Sequence, residues 1–437
     1  MKLKKITTFM LCLLILIGMS ACGSKSSDDK TNDQVAEVDE EVELRISWWG
    51  GTLRQELWDE VLDKFEEEYP NIKVSREFAD FAAYWDRLNT QTAGGNAPDV
   101  MLQTKKANAS YIKNELLMSL NDFVEAGDID LSNFNQEMVE GDKVDDNIYM
   151  ILLAAGTTAT FYNADIFEEA GVAPPKANWT WDEFVDKAVE LQGQLEEGQW
   201  VIPDMSGIME GVFKTFLYQR DKSFFSEDGK LGFEKQDMIE YLSIWNDLRE
   251  AGALPPPDVQ EEYSRDKPEQ TMFAQGKTAM FMTPAHQFNA FQIAATDQFE
   301  INRLPISGDS LQEQAQDTAA AHISINAKTE HPKEAALLVD YLLNDPFYAK
   351  TMGIEYGTLG SSEMNEIIKE NAGENEGKII DFMEEIDETL IPEELLPVEG
   401  SEIVQLYVNA CQSVNFGQSS IEQAVDDFFD RANQLLE

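Results

Sequence analysis

Leu44-Arg45-Ile46-Ser47-Trp48-Trp49-Gly50-Gly51 begins the stretch that decides the fold, which continues through a periodic segment to Pro70-Asn71-Ile72-Lys73-Val74. β-Branched and aromatic residues ended by a glycine pair read as a strand. Leu53, Leu57, Val61, Phe65 and Tyr69 then recur every four residues with acids and lysine between them. That spacing predicts a helix with the stripe on its buried face, and Pro70, which cannot continue a helix, stops it. Asn71-Ile72-Lys73-Val74 returns to strand. A strand, a helix and a strand in immediate succession predict parallel pairing through a right-handed crossover.

The alternation continues outward in a looser form. Residues 84–92 read as a helix, 94–98 as a turn and 99–102 as a strand. Thr160-Phe161-Tyr162 is strand-like, 166–170 is a short helix capped by Gly171, and 181–191 is a longer one. Thr180 with Glu183 three residues on has the spacing of a capping box. No solenoid period is present, and the interleaving predicts an α/β protein.

The amino terminus bears on location. Met1-Lys2-Leu3-Lys4-Lys5 is cationic, 6–19 is an uncharged apolar run too short to span a bilayer, and Ser20-Ala21-Cys22 precedes a polar stretch. Met19-Ser20-Ala21-Cys22 resembles a bacterial lipobox, with Met19 where Leu, Val or Ile is usual. The resemblance implies a signal peptide over 1–21, lipid attachment at Cys22, and a linker over 22–42 whose Ser, Lys, Asp and Glu cannot build a core. Of the three cysteines, Cys12 lies in the apolar run, so lipidation of Cys22 leaves Cys411 alone and no disulfide is possible.

With 33 Lys+Arg against 82 Asp+Glu, the formal charge is −49. A field of that sign excludes nucleic acid as a partner and leaves the acyl chains as the membrane contact. The carboxylates read as a solvated surface, with a structural calcium as the rival.

The chain resembles the extracellular solute-binding proteins of ABC transporters, sugar-binding group, which includes the maltose-binding proteins. The resemblance is carried by Trp48-Trp49-Gly50, the run 65–74, the run 93–100 and Phe161-Tyr162-Asn163. The runs 273–280, 325–328 leading into 332–336, and 357–362 complete it. It implies a two-lobed, type II periplasmic-binding-protein-like fold, each lobe a mainly parallel sheet flanked by helices, with the ligand cleft between lobes. By the same analogy the chain crosses near 153–157, 318–323 and 357–361, giving an N-terminal lobe of 43–153 and 323–357 and a C-terminal lobe of 154–322 and 358–437. Gln219-Arg220-Asp221-Lys222 departs from the family, where a Gly-Gly pair is common.

Catalytic signals fail. Gly276-Lys277-Thr278 lacks the earlier glycine of a P-loop, since Thr271 stands there, and Gly-x-Ser-x-Gly does not occur. His286, His322 and His331 lack metal spacing. The expectation is therefore a monomeric lipoprotein without cofactor or metal, held on the outer face of a Gram-positive-type membrane. It takes a carbohydrate, foremost an oligosaccharide, and delivers it to ABC permease subunits. The rivals are an exported polysaccharide-active enzyme and a binder of a polyol phosphate, for which Arg45, Arg54 and Arg87 are available cations.

Ligands of open α/β sheets sit beyond the carboxyl ends of the strands, and aromatic planes suit sugar faces while polar side chains suit the hydroxyls. The candidate ligand residues are accordingly Trp48, Trp49 and Gly50 at the first strand end, Tyr84, Gln103 and Thr104, then Thr157, His286 and Tyr356. Leu44, Ile46 and Trp48 share a strand face, so Trp49 is expected to stack on sugar and Trp48 to pack between sheet and first helix. Tyr162, Trp179, Trp181 and Trp245 are expected in the core.

Overall fold

The computed structural model describes residues 41–437 apart from 209, 227, 265–266, 393 and 395. The signal 1–21, the Cys22 attachment and nearly all of the 22–42 linker lie outside the described residues. Strand β1 (Val42–Trp49) begins one residue inside the span read as linker, and Val42 is already buried and aligned with Ile72.

β1 pairs in parallel with β2 (Ile72–Ala79) through helix α1 (Thr52–Glu68), and on its other side with β3 (Val100–Gln103), reached through α2 (Phe81–Ala93). The deciding stretch therefore folds as read, with two corrections. β2 runs on to Ala79 through the polar Ser75, Arg76 and Glu77, because an edge strand needs only one covered face. The buried face of α1 is Trp58, Val61, Leu62 and Phe65, while Leu53 is 60% exposed at the first turn. The expected capping box of the helix Trp181–Gln192 is formed, Thr180 accepting from Glu183 N–H and Glu183 accepting from Thr180 N–H. Gly171 is left-handed at its helix end, φ 66°.

The architecture is α/β, and its first sheet region is parallel. The second is not. β4 (Ile151–Asn163) and β7 (Gln316–Ile325) run antiparallel, β5 (Met280–Pro284) and β6 (Phe299–Arg303) flank β4 antiparallel, and the strand order is β2-β1-β3-β7-β4-β5. A chain that leaves one region through β4 and returns beside it through β7 has to reverse direction, which overrides the parallel expectation there.

Ile151–Thr157 of β4 aligns with Ile323–Thr318 of β7, and β8 (Thr358–Leu359) pairs with Ala154 and Ala155. All three segments expected to cross are thus hydrogen-bonded side by side. Gly357 makes this possible, since at φ +117° it presses on the Ala155 carbonyl, which a Cβ would strike. The short β9 (Leu390–Ile391) extends β7 in parallel.

The helices that follow β8 pack on different parts of the molecule. The helix Ser362–Asn371 packs on Pro346–Met352, which covers α1, and Ser362 bonds the Asn133 carbonyl. The next helix, Glu374–Ile386, packs instead on β6 and on Phe288–Ala294.

Candidate functional site

At the carboxyl end of β1 the two tryptophans separate. Trp48 is fully buried, stacked at 5.0 Å on Trp58 of α1 and at 6.1 Å on Phe78. It packs between sheet and helix as read, and that placement takes it out of the ligand set. Trp49 points the other way into a ring of aromatics, with Phe81 and Tyr84 each at 5.5 Å, Tyr356 at 5.9 Å and Trp85 at 6.1 Å. Trp49 is 8% exposed, whereas Phe81 at the rim is 52% exposed.

Hydrogen bonds hold this wall in place. Tyr84 Oη donates to the Leu102 carbonyl at 2.6 Å, Tyr356 Oη donates to the Trp49 carbonyl at 2.8 Å, and Trp58 Nε1 donates to Tyr356 Oη at 3.1 Å. Burial raises both phenols above their ordinary range, so they remain protonated donors. Gly50 N–H donates to the Ala79 carbonyl, and the Gly50 backbone lies against the Arg54 side chain.

Arg54 packs against the wall from the side of α1. Its guanidinium lies 4.1 Å over the Tyr356 ring and donates to the Glu355 carbonyl at 2.6 Å. His286, just beyond β5, lies close enough to Arg54 to feel its charge. Burial first, and that charge second, push the imidazole pKa down to about 3, so the ring is neutral at pH 7. The residue as a whole is half-buried, and Nδ1 is covered and has no hydrogen-bond partner.

A second group of polar side chains gathers around the end of β3. Gln103 is fully buried, opposite His322 of β7, and neither its amide oxygen nor its nitrogen has a hydrogen-bond partner. Thr104 caps α3 (Lys105–Lys113) without a side-chain cap bond. Lys105 Nζ lies 2.6 Å from Asp142 Oδ1, and His322 Nε2 lies 3.3 Å from Asp142 Oδ2. Burial pushes the Asp142 carboxyl up, but the His322 bond and the Lys105 charge outweigh it and leave the pKa below the ordinary carboxylate value. Thr157 is fully buried, its hydroxyl given to the Asp317 carbonyl at 2.7 Å. Buried amide and imidazole atoms without partners are costly in a protein interior. Such groups at strand ends suit a ligand rich in hydroxyls.

Trp49, Tyr84 and Tyr356 are therefore brought together, His286 joins them through Arg54, and Gln103 and Thr104 start the polar group. Sequence reasoning missed Phe81, Trp85, Lys105 and Asp142. Phe81 and Trp85 were legible as aromatics flanking Tyr84 on one helix; Lys105 and Asp142 look like ordinary surface charges. Tyr162 is half-buried against Phe167, and Trp179, Trp181 and Trp245 lie in the core as expected. In the segment that departs from the resemblance, Asp221 takes a left-handed φ of 57°, and Gln219 is buried as a structural clamp between Trp181, Pro305 and Ala315.

The family model of the bacterial extracellular solute-binding protein matches residues 50–347. The chain belongs to this family. Among relatives of this solute-binding protein is the multiple sugar-binding protein of Streptococcus mutans, 24% identical over 78% of this chain and 78% of its own. The fold is that of an ABC substrate-binding protein from Listeria monocytogenes solved with cycloalternan, at TM-score 0.78, 21% identity and coverage of 91% and 99%. It is equally that of a periplasmic oligogalacturonide-binding protein from Yersinia enterocolitica solved with saturated digalacturonic acid, at TM-score 0.79, 20% identity and coverage of 91% and 99%. These are two-lobed type II binding proteins, and this solute-binding protein shares their architecture. Among its described residues no helix is long and apolar enough to cross a membrane.

Proposed function

We propose that this protein captures an oligosaccharide between its lobes and presents it, closed, to the permease of an ABC importer. The observation that carries the reading is the aromatic wall of Trp49, Phe81, Tyr84, Trp85 and Tyr356 beside the partnerless Gln103 amide. Apolar planes cover the C–H faces of sugars while amides and imidazoles bond their edges. Sugar-binding relatives support it. The lobes are proposed as 42–153 with 323–372 and 154–322 with 373–437, closing about the three paired crossing segments. Binding without turnover is proposed over an exported enzyme.

A thermal-shift screen against an oligosaccharide panel tests this, since a ligand at 100 times its Kd stabilises the folded state by ~2.7 kcal/mol. Products analysed in the same samples separate binder from enzyme: a shift without cleavage supports the reading, and cleavage overturns it. Anchoring through Cys22 is part of the proposal, because the charge of −49 offers no electrostatic route to an anionic membrane. Cys22→Ser should move the processed protein to the medium on cell fractionation, and retention at the membrane would refute anchoring.

A further inference from the structure

Three elements that begin in or beside the candidate site end at one cavity. α3 is capped by Thr104, next to Gln103, and its last residues, Ile112 and Lys113, line a cavity of ≈ 1100 Å³. The helix Glu210–Tyr218 starts on the crossing strands, where a Cβ on Gly211 would come within 3.0 Å of Thr158 Oγ1, and Tyr218 at its far end lines the same cavity. β9 pairs Leu390 and Ile391 with Gln316 and Asp317, and Ile391 lines it too. None of Trp49, Tyr84 and Gln103 does. At a rise of 1.5 Å per residue, α3 carries the chain about 13 Å from the polar group to Lys113. The cavity is therefore a compartment of its own beyond the polar group, as large as sites that hold whole small molecules, roughly 300–1,000 Å³.

Its walls combine apolar surface with hydrogen-bond acceptors. Phe225, Ile391, Leu396, Pro397 and Val398 supply the first, and Val398 is 48% exposed at the rim. Asp145, Asp228, Glu394 and Glu399 supply the second, against Lys113 alone among the lining cations. Asp228 is matched by Lys230 at 2.8 Å, whereas Asp145 and Glu399 make no ion pair with the described residues. Asp145 is held in place by a tight turn, Val144 and Asn147 bonding each other through both backbone groups while Asp145 and Asp146 take left-handed φ of 50° and 63°. Among the described residues these acids do not converge as metal ligands. An ionised carboxylate only accepts hydrogen bonds. Hydroxyl donors therefore suit this rim, apolar C–H faces suit the wall, and a ligand carboxylate would meet like charge. A disaccharide on the aromatic wall is too short to reach a compartment that lies about 13 Å past the next strand end.

We infer that this cavity is an outer subsite of the carbohydrate site, so that the preferred ligand is a neutral chain of the length of a tetrasaccharide or more. The inference rests on the carbohydrate reading above and narrows it to a size and a charge class.

Calorimetric titration tests it with cello-, xylo-, malto- and galacto-oligosaccharides, each from the monosaccharide to the hexasaccharide, and with tetragalacturonate. The expected result is a neutral series in which the tetrasaccharide binds about tenfold or more tightly than the disaccharide. Val398→Trp fills the cavity from one rim and Lys113→Trp from the opposite wall; each should erase that gain, with disaccharide affinity and the melting temperature as internal controls for the fold. Equal affinity for di- and tetrasaccharide in every series that binds, or a gain that survives both variants, would overturn the inference and leave carbohydrate binding standing. Tetragalacturonate bound above every neutral chain would overturn it as well. No binding in any series would count against both readings.

Discussion

The aromatic wall around Trp49 and the charged group around Asp142 lie at adjacent strand ends, yet they are built on opposite principles. The wall is apolar bulk whose few polar atoms are satisfied internally, Tyr84 on Leu102 and Tyr356 on Trp49. The charged group puts Lys105, Asp142 and His322 into a region where each depends on its neighbours, and it leaves both polar atoms of Gln103 without partners. Aromatic surface is tolerated in water or out of it. A buried charge is tolerated only with its partner. Under the proposed function, the first region would accommodate many sugars, and the second would discriminate among them by the cost of a group left unmatched.

The sharpest way to break the contrast is to remove one member from each side. Trp48→Ala, directly behind the wall, should destabilise the fold by about 3–5 kcal/mol, because it empties a fully buried indole site against Trp58. Urea unfolding with binding measured in parallel checks this, and stability within about 1 kcal/mol of native would disprove the core assignment. Asp142→Asn strands the Lys105 ammonium, which is more buried than its partner, and should cost about 3 kcal/mol. The double variant Lys105→Met with Asp142→Leu should recover much of that loss. Failure of the double variant to recover would mean that His322 or the backbone, not the charge pair, sets the stability there.

Phe81→Ala separates binding from stability within the wall. With half its surface exposed, its loss should change stability by less than about 0.5 kcal/mol while weakening sugar binding by ~1.4 kcal/mol, about tenfold. Trp49→Ala should weaken binding at least as much, but it cannot be silent in stability, because four rings pack on it. Equal affinity in native and Phe81→Ala protein would show that the rim does not touch ligand.

The smallest effect concerns pH. His286 has a folded pKa of about 3 against 6.5 unfolded, so between those values the unfolded chain binds more protons and stability falls as pH drops from 6.5. Melting curves at pH 6.5 and 5 should show the native protein losing about 1 kcal/mol more than His286→Asn, part of the shift being screened by solvent. An identical loss in both proteins would remove His286 from the junction with Arg54.

Local rules alone determined much of this molecule. The strand at Trp48-Trp49, the helix stopped by Pro70, the parallel return through Ile72 and the Thr180–Glu183 cap depend on neighbours within a few residues, and sequence order preserves those. Trp48 and Trp49 separated by face for the same reason, since strand side chains alternate. Tertiary structure decided the rest. The antiparallel pairing of β4 with β7 joins segments about 160 residues apart, Thr157 with Asp317 among them. The burial of Lys105, Asp142 and Lys214 depends on which helices cover them, and a lysine in a sequence carries no mark of its future solvent. Apolar periodicity reports the core because hydrophobic burial is roughly additive along a face. A charged site arises from cancellation between distant residues, so only the assembled fold shows which charges are matched.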